Sequence, residues 1–215
     1  MTQPATETQA IDPRFAHLTE DQRQLLFGYV GDAVAVDSDI EAVLDRQLGL
    51  TRSDSLAGPL VRGFHDSVRD QRNMMIELRD ALGETSSSSF KEVGATVLGA
   101  VTGAIDRLRS DAISKSLRDD YTSFNLAAVN YTMLLTAAKA VGSSDVANAA
   151  EQGLRIYAAA VQRINHALPP VLLAELAGKS QVEVSSDIAD DVRRTIDSIW
   201  KSTDQSNGTP QPAHQ

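Results

Sequence analysis

Cysteine is missing from all 215 residues, which excludes disulfides, thiolate nucleophiles and cysteine–zinc sites. Basic charge is scarce. Twenty Lys and Arg stand against 29 Asp and Glu, leaving a formal charge of −9. A chain of that sign repels phosphate, so nucleic acid is not expected as a partner. Long apolar runs are also missing. The most apolar stretch, 93–105, covers about 13 residues, short of the ~20 that a membrane span needs. The opening MTQPATETQAIDP has no apolar centre and does not read as a secretory signal. A cytoplasmic protein without a membrane span is expected.

The signatures of common active sites are absent as well. There is no Gly-x-Ser-x-Gly elbow, and the glycines of 94–103 lack the Lys and Ser/Thr of a phosphate-binding loop. Asp119 and Asp120 are neighbours in sequence. On a helix they point about 100° apart and do not form an acid/base pair.

What the sequence has is helical periodicity almost throughout, with no convincing alternating strand. Residues 1–14 and 202–215 are polar and read as disordered tails around one domain, 15–201. A first helix is expected over 20–48. Thr19 with Gln22 forms a capping box at its start, the seam is Leu26, Tyr29, Ala33, Val36, Ile40 and Val43, and Gly49 is the stop. A second helix, 55–82, carries Leu60, Phe64, Val68, Gln71, Met75, Leu78 and Leu82, with Pro59 tolerated near its first turn and Gly83 closing it. Residues 86–89 read as a linker, followed by a short small-residue helix, 90–109. There, Gly99-x-x-x-Gly103 signals close packing rather than membrane dimerisation. A third long helix, 112–141, shows Leu117, Tyr121, Phe124, Ala128, Tyr131, Leu135 and Ala138 and stops at Gly142. A fourth starts near Ser144 with Ala147, Ala150, Leu154, Tyr157, Val161, Ile164 and Leu168. It is broken or kinked at Pro169 and Pro170, with a further turn or two over 171–176. A last helix, 187–200, ends in Trp200, which is expected to pack back on the core.

Two short connections and one long one between four long helices make a ferritin-like antiparallel four-helix bundle. The long crossover carries the short helix, and an extra helix follows at the C-terminus. The segments LLFGYVGDAVAVDSDIEAVLDRQL, GFHDSVRDQRNMMIELRDALG, SLRDDYTSFNLAAVNYTMLLTAAKAVG and ANAAEQGLRIYAAAVQRI resemble, in order and spacing, the bacterial ferritin-like family of the YciE/YciF type. The resemblance covers about 24–176. It rests on Asp32-Ala33, Leu44-Asp45, His65, Arg118-Asp119 with Tyr121, and Tyr131 with Leu134-Leu135.

The resemblance implies an antiparallel bundle, often dimeric, with a link to stress responses and a carboxylate di-metal centre inside. Such a centre needs a Glu from each of two helices and Glu-x-x-His from the other two. No Glu-x-x-His occurs: Arg62 stands three before His65, and Arg163 three before His166. The family's ligand positions fall on Asp37, on Val68, Arg69 and Arg72, on Phe124 and Ala127, and on Tyr157. One acid remains, so the metal site reads as degenerate, with no cofactor and no catalytic residue.

Individual residues admit two readings each. Asp37 is a relic ligand, or a half-buried acid that is solvated or paired with an arginine such as Arg72. His65 is a ligand or base, or a structural residue, and His166 lies near a helix end. Tyr121, Tyr131 and Tyr157 line a small-molecule pocket, or fill space left by lost ligands with each hydroxyl finding one buried partner. Met74 and Met75 are core or interface residues. The favoured function is a non-catalytic scaffold or interaction module, a homodimer. The alternatives are a residual iron or manganese protein, using Asp37, His65 or residues from a partner subunit, and a small-molecule or lipid-binding bundle.

Overall fold

The computed structural model describes residues 12–83, 112–179, 184–185 and 187–207. The expected short helix 90–109, the linker 86–89 and the extreme tails lie outside the described residues. Among the described residues the structure is helical, with no strand.

A short turn, Pro13–Phe15, precedes the long helices. Asp12 caps it through the Arg14 backbone N–H at 2.9 Å, and Phe15 is fully buried, so ordered structure begins inside the stretch read as tail. Helix α1 (Glu20–Leu50) opens on the expected capping box. Thr19 Oγ1 accepts from the Gln22 N–H at 3.2 Å, and Gln22 Oε1 accepts from the Thr19 N–H at 2.9 Å. Gly49 does not stop the helix. Thr51 caps it instead, its N–H and its hydroxyl both donating to the Gln47 carbonyl at 2.9 Å.

Helix α2 (Ala57–Leu82) is capped by Asp54, whose Oδ1 accepts from the Leu56 and Ala57 N–H groups at 2.9 and 2.7 Å. All seven residues of its expected seam are buried. Helix α3 (Ile113–Val141) ends where Gly142 turns left-handed, at φ 77° and ψ 21°, a conformation that costs glycine nothing.

Helix α4 (Ser144–Lys179) runs through Pro169 and Pro170 without interruption, so of the expected break or kink the break does not occur. Pro170 lacks the N–H that would bond the His166 carbonyl four residues back. Arg193 Nε donates to that carbonyl at 2.8 Å in its place. Its donor is on helix α5 (Asp187–Asn207), which packs on α4 and continues past the expected end at 200. Trp200 does not pack back: it is about half exposed, at 52%.

Helix α1 packs on α2 and α3, and α4 packs on α2 and α3. Cross-helix pairs give the directions. Asp45 meets His65 and Glu41 meets Arg72, so α1 and α2 are antiparallel. Gln47, near the end of α1, meets Asp120, near the start of α3. Gly63 faces Arg163, while Gln71 reaches Ala149, so α2 opposes α4. Ser114 bonds Glu175 through its N–H and its hydroxyl, at 2.8 and 2.7 Å, so α3 opposes α4. Helices α2 and α3 therefore run parallel, which puts Leu82 and Ile113 at opposite ends of the packed group.

Candidate functional site

The centre of the four helices is built around Asp37, which is wholly inaccessible to solvent. Val30, Asp37 and Leu44 lie seven residues apart along α1, and all three are fully buried, so one helical row carries the acid into the core. Tyr131 from α3 donates its hydroxyl to Asp37 Oδ2 at 2.6 Å. Tyr157 from α4 donates to Oδ1 at 2.6 Å. The tyrosine rings lie 5.6 Å apart between centroids. Phe124 packs against Tyr157 at 5.7 Å and edge-on against Phe64 at 5.1 Å.

Gly153 makes room for this arrangement. A Cβ there would lie only 2.2 Å from Tyr131 Cε1 and 2.5 Å from Cδ1. The ring is seated directly on the backbone of α4, and any larger residue would push it off the Asp37 carboxyl.

Opposing effects act on that carboxyl. Burial disfavours the charged form. The two phenol donors and the nearby Arg72 favour it, and Glu41 disfavours it again. Burial is the largest, and the carboxyl is pushed up to about 7. Burial, with the neighbouring carboxylate, pushes both phenols well above their ordinary value, so neither is a phenolate near neutral pH.

A second buried acid, Asp120, lies on the same core face. Gln47 Nε2 donates to its Oδ1 at 2.8 Å. Its Oδ2 and Gln47 Oε1 have no partner among the described residues. Burial pushes Asp120 up to about 7 too, against the lowering effect of the Gln47 bond. At the rim, Arg72 Nη1 lies 2.7 Å from Glu41 Oε2. Gln71 is fully buried and donates to the Ala149 carbonyl at 3.0 Å.

The sequence-derived positions Asp37, Phe124, Ala127 and Tyr157 all point inward, each nearly or wholly buried. Arg72 is at the edge and pairs with Glu41 rather than with Asp37 as expected. The arginine pairing of Asp37 is replaced by two tyrosines, because only the rings reach the dry centre. Tyr121 is half-buried beside the core and joins neither. His65 sits elsewhere, between Asp45 at 2.9 Å and Asp66 at 3.5 Å. His166 lies inside α4 rather than at a helix end, 2.9 Å from Asp197 of α5. Met75 is buried and Met74 packs at the core's edge.

Sequence reasoning missed Asp120, Gln47, Glu41 and Gly153. The α3 seam is Leu117, Asp120, Phe124, Ala127, Tyr131, Leu134 and Ala138. The expectation stepped one residue too far at three places, Tyr121, Ala128 and Leu135; at the last two the neighbouring residues are identical, and only Tyr121 replaces a polar residue by an apolar one. Both registers alternate steps of three and four, so spacing alone does not choose between Asp120 and Tyr121.

Among the described residues no three His, Asp or Glu side chains converge in a way that could hold a metal ion. The donor set does not fit a di-metal centre: both oxygens of Asp37 are taken by phenols, and Phe124 and Ala127 offer no donor. No family model, no curated protein and no solved structure matches the chain.

Proposed function

We propose that this chain is a ferritin-like bundle of the YciE/YciF type that has exchanged metal chemistry for a tyrosine-clamped core and works as a scaffold or interaction module. One observation carries the reading. At the positions where the family would place ligands, a single carboxyl is held between two phenols, and the neighbouring positions are Phe124 and Ala127. Both oxygens of Asp37 are spent on the phenols, and neither is left for a cation. The parallel run of α2 and α3, which calls for one long crossover, supports the ferritin-like connectivity.

The surface supports an interaction role. Leu126, Val129 and Met133 follow one another at helical spacing on the outer face of α3, and each is 44% exposed or more. A homodimer in the cytoplasm, with a part in stress responses, completes the proposal on the strength of the resemblance. Two measurements test it. After anaerobic incubation with ferrous or manganous ion and desalting, metal content should stay far below one ion per chain. Two ions per chain, lost in Asp37→Asn, would overturn the non-metal reading. Light scattering should return twice the chain mass, and a monomer at every concentration would remove the dimer.

A further inference from the structure

Two buried side chains, Gln47 and Asp120, fasten the end of α1 to the start of α3. Their exposures are 4% and 3%, and Gln47 Nε2 donates to Asp120 Oδ1 at 2.8 Å. Each planar group has one more oxygen. Asp120 Oδ2 and Gln47 Oε1 are closed off from solvent, and neither meets a donor among the described residues. Two open acceptors in a dry interior are costly unless a donor serves them.

One proton serves both. A carboxylic acid and a primary amide meet edge to edge through two antiparallel bonds, amide N–H to acid carbonyl and acid O–H to amide carbonyl. The first of these bonds is present between Gln47 and Asp120. The two atoms of the second are the two acceptors left open.

The surroundings favour the neutral acid. Burial pushes the carboxyl up most, Asp119 adds to it, and the Gln47 bond opposes both. No cation offsets them. On α3 itself, Lys115 is exposed and Arg118 is bonded to Asp119. The contacts Ser114–Glu175 and Phe124–Tyr157 bracket Asp120 along α4. Within that stretch Arg163 lies over Phe64, His166 pairs with Asp197, and Glu175 accepts from Ser114. Towards the end of α1, Glu41 pairs with Arg72 and Asp45 with His65, while Arg46 and Arg52 are exposed.

We propose that Asp120 and Gln47 form a two-bond acid–amide pair that acts as a pH-sensitive latch, holding α3 to α1 while Asp120 keeps its proton and releasing it when the proton leaves to solvent. In the ionised state Oδ2 and Gln47 Oε1 are two acceptors with no donor between them, so Gln47 turns away or water enters. The Gln47 backbone carbonyl also accepts from the Thr51 N–H and hydroxyl, which ties the latch to the cap of α1. A carboxyl raised in the folded state contributes stability that is full below its unfolded value and is lost as pH climbs through the folded one.

NMR of the full carbon-13-labelled chain tests the pair by following the Asp120 carboxyl carbon and the Gln47 side-chain carbonyl carbon from about pH 4 to about pH 9. Both should move together, with a midpoint of about 7. Titration of Asp120 in the ordinary carboxylate range overturns the proposal, and so does a Gln47 signal that stays still while Asp120 titrates. Asp120→Asn tests the latch, because its amide can make the same two bonds with no proton to lose. At about pH 8 the amides of 117–121 should exchange with deuterium at least about tenfold faster in wild type than in Asp120→Asn, and at about pH 5 equally fast. Equal exchange in the two proteins at both pH values overturns the latch.

Discussion

Replacing Asp37 by Asn should change how stability depends on pH, and the structure fixes the sign. Asn keeps the shape: its carbonyl accepts from one phenol and its amide donates to the other. It removes the titration. In the folded protein the Asp37 carboxyl is pushed up to about 7 from an ordinary 3.8. Between those values the unfolded chain releases the proton and the folded chain keeps it. The folded state therefore binds more protons, and stability falls as pH rises. This contribution is fully present below the unfolded value and is lost as pH climbs through the folded one. The slope for one carboxyl is ~1.4 kcal/mol per pH unit. Urea unfolding of both proteins, followed by circular dichroism at about pH 5 and about pH 7, isolates the effect by difference. The stability of wild type relative to Asp37→Asn should drop by ~2 kcal/mol over that interval, since the folded carboxyl is half titrated at its upper end. The 2.6 Å phenol contacts make the experiment discriminating, because O–H···O bonds that short are typical of an ionised acceptor. If those donors and Arg72 outweighed burial, the carboxyl would lie below its ordinary value, and the wild-type advantage would grow with pH through the acid range. A flat or rising difference refutes the dominance of burial.

Gly153→Ala should destabilise the protein by ~1–3 kcal/mol in thermal unfolding, although alanine is normally the better helix former by ~1 kcal/mol, because its Cβ collides with the Tyr131 ring. A stabilised variant would mean the ring is not seated on α4. Phe124→Glu should cost ~4 kcal/mol or more, since it removes a buried ring and places an unpartnered carboxylate in its stead. An unchanged melting temperature would place position 124 outside the core. Arg193→Ala leaves the His166 carbonyl without its donor, and the amides of α5 should exchange with deuterium faster, consistent with a loss of ~1 kcal/mol. Equal exchange in both proteins would show that Arg193 does not fasten α5.

Much of the helical layout was legible in the sequence. The Thr19–Gln22 capping box, the closures at Gly83 and Gly142 and the full α2 seam all follow from local spacing and residue type. The failures also have local causes. Gly49 looked like a stop, but the glycines that close helices here, Gly83 and Gly142, do so at positive φ, and after α1 it is Thr51 that supplies the cap. Pro169 and Pro170 looked like a break, and α4 survives them because Arg193 on another helix meets the freed His166 carbonyl. No inspection of α4 alone shows that donor. Asp37 was legible as an acid beside the seam, yet its full burial and its partners were misjudged, because arginine is the common partner of a carboxylate at a wet boundary and tyrosine suits one in a dry interior.

Local periodicity determined which residues of each helix lie along a stripe, since that depends only on 3.6 residues per turn and on side-chain polarity. The rotation of one stripe against another was decided by the tertiary packing alone. A step of one residue turns a helix face by about 100°, which is the difference between Tyr121 and Asp120 on the core side of α3. The clamp on Asp37 joins residues 94 and 120 positions apart, and the Gln47–Asp120 bond spans 73. Whether those groups meet within 3 Å depends on the offset and rotation of three helices at once. Packing the rings of Phe64, Phe124, Tyr131 and Tyr157 without voids selects that geometry, and no single segment of the chain encodes it.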